Sequence, residues 1–73
     1  MYKLFSAEWC THCSNLKKQI ELLGEVVTVV DIDIEPEEPR ALGVKGIPCL
    51  YDTETGAMLV GNITAEQLKA FIS

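Results

Sequence analysis

The sequence has no apolar run near the ~18 residues that a membrane-spanning helix requires. Its start, Met1-Tyr2-Lys3-Leu4-Phe5, is too short for the apolar core of a signal peptide. Both absences lead us to expect a cytoplasmic protein that stays off the membrane. Basic residues are scarce too: six lysines and arginines are scattered among eleven acidic residues, for a formal net charge of -5. No phosphate-binding stripe can be built from them, which argues against a nucleic-acid surface; the charge mainly favours solubility. Only three cysteines are present, and an odd number is poor material for the disulfide framework of a small secreted protein. A bridge between Cys10 and Cys13 would close too small a loop to stabilise the fold much. No linker, repeat or low-complexity segment interrupts the chain, and 73 residues leave no room for a second domain. Residues 1–73 therefore read as a single domain, near the lower size at which a core without staples holds itself together.

What is present is a succession of short, well-marked elements. Residues 2–6 are aromatic and aliphatic, which suits a buried strand. From Cys13 onward, Leu16, Ile20 and Leu23 recur at three- and four-residue steps and make one apolar stripe of a helix that Gly24 stops. Residues 26–34 are rich in β-branched side chains and read as a strand whose odd positions turn Asp31 and Asp33 outward. Strand, helix and strand in succession imply a right-handed parallel unit. Prolines and glutamates at 35–39 suit the first turn of a short helix ending near Gly43. Residues 44–48 read as a loop, 49–52 as a strand, 53–56 as a turn and 57–60 as a returning strand, a hairpin because the connection is too short for a parallel crossover. Thr64 is a good N-cap, with Gln67 at the capping-box position, for a last helix whose apolar side carries Leu68, Phe71 and Ile72. The order is βαβαββα, an α/β fold.

The chemistry is concentrated in Trp9-Cys10-Thr11-His12-Cys13. The first turn of a helix has N–H groups without intrahelical partners and the positive end of the dipole, so negative charge on a sulfur at position 10 is favoured. Cys13, three residues on, falls inside the apolar stripe, where burial favours the neutral thiol. The two sulfurs are thus unequal. Side chains three apart on a helix have Cβ atoms ~5–6 Å apart, and a disulfide wants ~3.8 Å, so a reversible bridge needs only a small adjustment. Cys10 is the expected nucleophile and Cys13 the resolving thiol of a dithiol/disulfide exchange.

Three segments in the right order resemble the thioredoxin/glutaredoxin superfamily. Phe5-Ser6-Ala7-Glu8-Trp9-Cys10-x-x-Cys13 is similar to the thioredoxin active-site segment, and Val44-Lys45-Gly46-Ile47-Pro48-x-Leu50 to its cis-proline loop. Val60-Gly61 followed by Gln67-Leu68-Lys69-x-Phe71 is similar to its last turn and helix. The resemblance implies a minimal, glutaredoxin-sized thioredoxin fold, a four-stranded mixed sheet flanked by three helices. It also implies a cis Ile47-Pro48 peptide and a shallow groove to which Cys10 is exposed, lined by Trp9, Ile47, Pro48, Val60 and Gly61, where substrate backbone docks. Partners would be disulfide-containing proteins and, as electron donor, a thioredoxin-type reductase or glutathione. No cofactor beyond the redox-active pair and a monomeric chain are expected.

The departures are informative. The first strand and helix of a full thioredoxin have no counterpart, and Leu4 falls where thioredoxins carry a buried aspartate that assists the resolving cysteine. The dipeptide between the cysteines is Thr11-His12 and not Gly-Pro. A histidine there resembles the oxidising relatives, so Thr11 and His12 are expected to tune the Cys10 thiolate. Two other readings stand beside this one. The short length suits a glutathione-linked glutaredoxin, although Gly61-Asn62-Ile63-Thr64 lacks the paired glycine and acidic residues with which glutaredoxins hold glutathione. A non-catalytic binding module would use a metal held by Cys10, Cys13, Cys49 and His12, or the Trp9 and Pro48 groove. Cys49 otherwise reads as a small buried filler.

Overall fold

The computed structural model describes residues 1–72. Its elements are β1 (Tyr2–Ser6), α1 (Thr11–Leu22), β2 (Val27–Asp31), α2 (Glu37–Ala41), β3 (Cys49–Asp52), β4 (Met58–Val60) and α3 (Ala65–Ile72). The four strands form one sheet in the order β2-β1-β3-β4. β1 runs parallel to β2, with Leu4 opposite Val29 and Ser6 opposite Asp31. β3 is antiparallel to β1, Leu50 facing Leu4 and Cys49 facing Phe5, and β4 returns antiparallel to β3. This is the mixed sheet with three helices, a thioredoxin fold.

Alternation along β1 distributes the core to both sides of the sheet. Leu4 and Leu50 turn to one face, where Leu16 and Ile20 of α1 and Ile63 and Leu68 at α3 cover them. Phe5, Cys49 and Val30 turn to the other, against Ile32, Leu42, Val44 and Ile47. Each fully buried leucine or phenylalanine contributes about 1.5–3 kcal/mol relative to exposure, so this two-sided arrangement is how a short chain accumulates enough burial. The central strands β1 and β3 thereby become the most protected part of the fold.

The helix ends follow the local chemistry. Gly24 takes φ +77°, the left-handed conformation that ends α1, and its N–H donates to the Glu21 carbonyl at 3.0 Å. At the start of α3 the Thr64 Oγ1 accepts the Gln67 N–H at 3.1 Å while Gln67 Oε1 accepts the Thr64 N–H at 3.0 Å, a complete capping box. β2 departs from the sequence reading. It stops at Asp31 instead of running to residue 34, because the Asp31 carbonyl accepts the N–H groups of Ile34 and Glu35 and its Oδ1 accepts the Asp33 N–H at 2.9 Å. The chain turns there. Asp31, opposite Ser6, is half-buried on the α1 face and not turned outward as expected; Asp33, beyond the strand, is exposed.

Candidate functional site

Cys10 ends the loop after β1 and is the N-cap of α1. Its extended backbone, φ -94° and ψ 108°, aims the side chain back over the first turn, where Sγ accepts the Cys13 N–H at 3.2 Å. One of the orphan donors of the helix start is thus satisfied by sulfur. Cys13 is one turn into α1, on its buried face. Burial pushes its thiol up to about 12, and the hydrogen bond shared with the Cys10 side chain acts in the same direction. The two cysteines, with Ala7, form a small buried cluster of their own, against which Ile32 and Ile47 pack. Two sulfurs three residues apart therefore meet opposite environments: Cys10 accepts an N–H at the polar end of a helix, and Cys13 is desolvated beneath it.

A cleft opens next to Trp9 and the loop before Pro48. Trp9, Ile32, Val44, Lys45, Gly46 and Ile47 line a cleft of about 400 Å³. Trp9 and Ile47, both expected of the groove, are on separate sequence segments of this lining. The Ile47-Pro48 peptide is cis, and Pro48 is fully buried behind the cleft. Gly61, at φ +92°, donates its N–H to the Pro48 carbonyl at 2.9 Å, so it holds the proline loop from behind. Val60 is exposed and reaches toward Gly46, since a Cβ built there would meet Val60 Cγ1 at 3.6 Å. Val60 and Gly61 thus adjoin the loop at Gly46 and Pro48. Cys10 is 8% accessible, so it is a mostly covered sulfur and not an exposed one. Thr11 and His12, the first two residues of α1, are both exposed.

Trp9 is 69% exposed, and its position is set by a hydrogen bond from Nε1 to Asp33 Oδ2 at 2.9 Å. Asp33 is a site residue that the sequence reading does not find. It lies 24 residues from Trp9, and no spacing rule connects the two. Ile32, from the same turn, is likewise missing from the expected groove. Cys49 lies in the cluster on the opposite face of the sheet, with Phe5 and Val30, and burial raises its thiol. The structure thus separates it from Cys10 and Cys13, and the four-ligand set with His12 is not assembled. Among the described residues, no group of three or more His, Cys, Asp or Glu side chains is placed to hold a metal ion.

Two close cysteines at the start of a helix, laid on a mixed sheet beside a cis-proline loop, define a thioredoxin-like dithiol site. The sequence model of the Thioredoxin family matches residues 3–73, and the chain belongs to that family. It is 37% identical over 67 residues to the thioredoxin of Rhodospirillum rubrum, covering 84% of this chain and 64% of that one. It is 31% identical over 78 residues to the thioredoxin of Buchnera aphidicola subsp. Baizongia pistaciae, covering 94% of this chain and 72% of that one. The chain thus spans about two thirds of the length of these relatives. Among solved structures, a mutant thioredoxin from Halobacterium salinarum superposes with a TM-score of 0.83 at 32% identity, over 97% of this chain and 69% of that one.

Proposed function

We propose that the protein is a thiol-disulfide oxidoreductase acting on protein disulfides through Cys10 and Cys13, with no bound cofactor. The observation that carries this reading is the Cys13 N–H donated to Cys10 Sγ at 3.2 Å, above a resolving thiol that burial keeps protonated. Substrate backbone lies in the cleft between Trp9 and the Ile47-Pro48 loop, beside the Cys10 sulfur. Cys10 Sγ attacks one sulfur of the substrate disulfide. That S–S bond breaks, a bond from Cys10 to the substrate forms, and the other substrate sulfur leaves with the bonding pair. Cys13 then gives up its proton and attacks Cys10 Sγ; the bridge from Cys10 to Cys13 forms and the second substrate thiolate leaves. Two electrons pass to the substrate, and a dithiol donor restores the pair.

Membership of the thioredoxin family and the residues 61–64, which lack a paired glycine and acidic set, support a thioredoxin-type reductase as that donor in preference to glutathione. A reducing compartment, the cytoplasm, suits a dithiol that must return to the reduced state. One chain carries both cysteines and the cleft, which supports action as a monomer.

The test is insulin-disulfide reduction driven by dithiothreitol. Cys10→Ser is expected to abolish it, and Cys13→Ser to accumulate a mixed disulfide detectable by mass; a Cys10→Ser variant as active as the wild type would refute the assignment. NADPH consumption in parallel couplings, one through thioredoxin reductase and one through glutathione and its reductase, separates the donors. The first coupling is expected to run faster.

A further inference from the structure

Besides the substrate cleft, a second opening reaches the cysteine pair from the flank of the sheet. It is a cleft of about 190 Å³ between α1 and the edge strand β2, lined among others by Ser6, Glu8, Cys13, Ser14, Lys17 and Asp31. It exists because β2 is the outermost strand and because β1 and β2 end together, Ser6 opposite Asp31, so that polar side chains follow Val29 on the cleft wall. Ala7 and Val29 give the cleft apolar wall as well, but the polar groups of Ser6, Ser14, Lys17 and Asp31 together with this volume suit water. The cleft therefore joins the buried Cys13 to solvent on the side away from the substrate.

We propose that Asp31 is the proton acceptor for Cys13, taking its proton through water in this flanking cleft when the mixed disulfide on Cys10 is resolved. The proposal rests on the oxidoreductase reading above. Cys13 needs such an acceptor: burial raises its thiol above the ordinary value, so near pH 7 it stays protonated. Two carboxylates line the cleft, and they differ. Glu8 is exposed at its rim, whereas Asp31 is half-buried and held by the Asp33 N–H on its Oδ1 at 2.9 Å. A carboxylate fixed by one oxygen keeps its remaining lone pairs in a set direction, which is what a relay through water requires. The other charged or titratable groups around Cys13 are the Cys10 sulfur above it and Lys17, one turn along α1 on the cleft wall. In the resolving step the proton passes from Cys13 Sγ to the Asp31 carboxylate, the electron pair left on sulfur forms the bond to Cys10, and the substrate thiolate departs and takes up a proton from solvent.

The experiment uses the aromatic disulfide 5,5′-dithiobis(2-nitrobenzoate) and the full chain in stopped flow. The first coloured thiolate released reports attack by Cys10, and the second reports resolution by Cys13. Asp31→Asn keeps the acceptor for the Asp33 N–H. It is expected to leave the first phase within about twofold of wild type and to slow the second by roughly tenfold or more near pH 7. The deficit should shrink as pH rises toward about 10, where hydroxide replaces the carboxylate. Asp31→Glu should restore much of the second phase. If Asp31→Asn does not give a cooperative melt, Asp31→Ser, which also offers an oxygen to the Asp33 N–H, takes its place. A second phase unchanged in rate and in pH profile overturns the role of Asp31. Loss of both phases in the wild type, or a first phase that survives Cys10→Ser, would instead overturn the oxidoreductase reading and the inference with it.

Discussion

Cys10 and Cys13 face the protein, and the two residues between them face water. Thr11 and His12 occupy the first turn of α1, so any effect they have on the Cys10 sulfur acts across the helix start and not through core packing. A protonated imidazole there lowers the energy of a thiolate at the N-cap and so stabilises the reduced pair. His12→Pro is therefore expected to make the reduction potential more negative, by an amount on the order of tens of millivolts. Equilibration against a glutathione redox buffer measures it, and an unchanged potential would remove His12 from the tuning of the site. Trp9 and Asp33 teach the complementary lesson. The tryptophan beside the cysteines is recognisable in the sequence as a candidate groove residue. The side chain that holds it is not recognisable, because that contact depends on how the turn after β2 folds back toward the loop after β1.

The helices illustrate how far local chemistry reaches. The Thr64 and Gln67 pair forms the reciprocal cap that the sequence suggests, and Thr64→Ala should cost about 1 kcal/mol, lowering Tm by ~4–8 °C in a thermal melt. A melt unchanged within error would show that tertiary packing alone holds the start of α3. Glycines at 24 and 43 end their helices in the left-handed conformation, a role readable from residue type and position. The residues at 26–34 mislead for a physical reason: β-branched side chains favour a strand throughout, yet Asp31 has a side chain short enough to bond the N–H two residues on and so starts a turn. That turn changes the reading of the site as well as of the strand. It puts Ile32 on the cleft beside Trp9, Asp33 within hydrogen-bond reach of Trp9 and Asp31 on the cleft that Cys13 also lines, three placements that an extended strand to residue 34 conceals. The order and polarity of the elements were legible because most are bounded by proline, glycine or a cap; the composition of both clefts was not, because each draws on elements distant in sequence.

For the molecule as a whole, the buried thiol at Cys13 makes stability depend on pH and on redox state together. Its folded value of about 12 stands above an ordinary value of 9.0, so the folded chain keeps a proton that the unfolded chain releases between them. The associated stability is present below about pH 9 and is lost as pH rises toward about 12. Burial raises the Cys49 thiol too, and that contribution has the same sign in either redox state. Oxidation removes Cys13 from titration. In urea unfolding, the midpoint of the reduced protein should therefore fall further between about pH 8 and about pH 10.5 than that of the oxidised protein; equal falls would contradict the assignment. The cap of α1 adds a further link. The atom that closes the helix start is Cys10 Sγ itself, and a sulfur engaged in a disulfide is a poorer acceptor than a thiolate. Around the thermodynamic cycle that joins folding to oxidation, whatever free energy the cap lends to the reduced fold reappears, undiminished, as the tendency of the oxidised protein to take up electrons. Helix geometry and redox poise in this protein are two measurements of a single equilibrium.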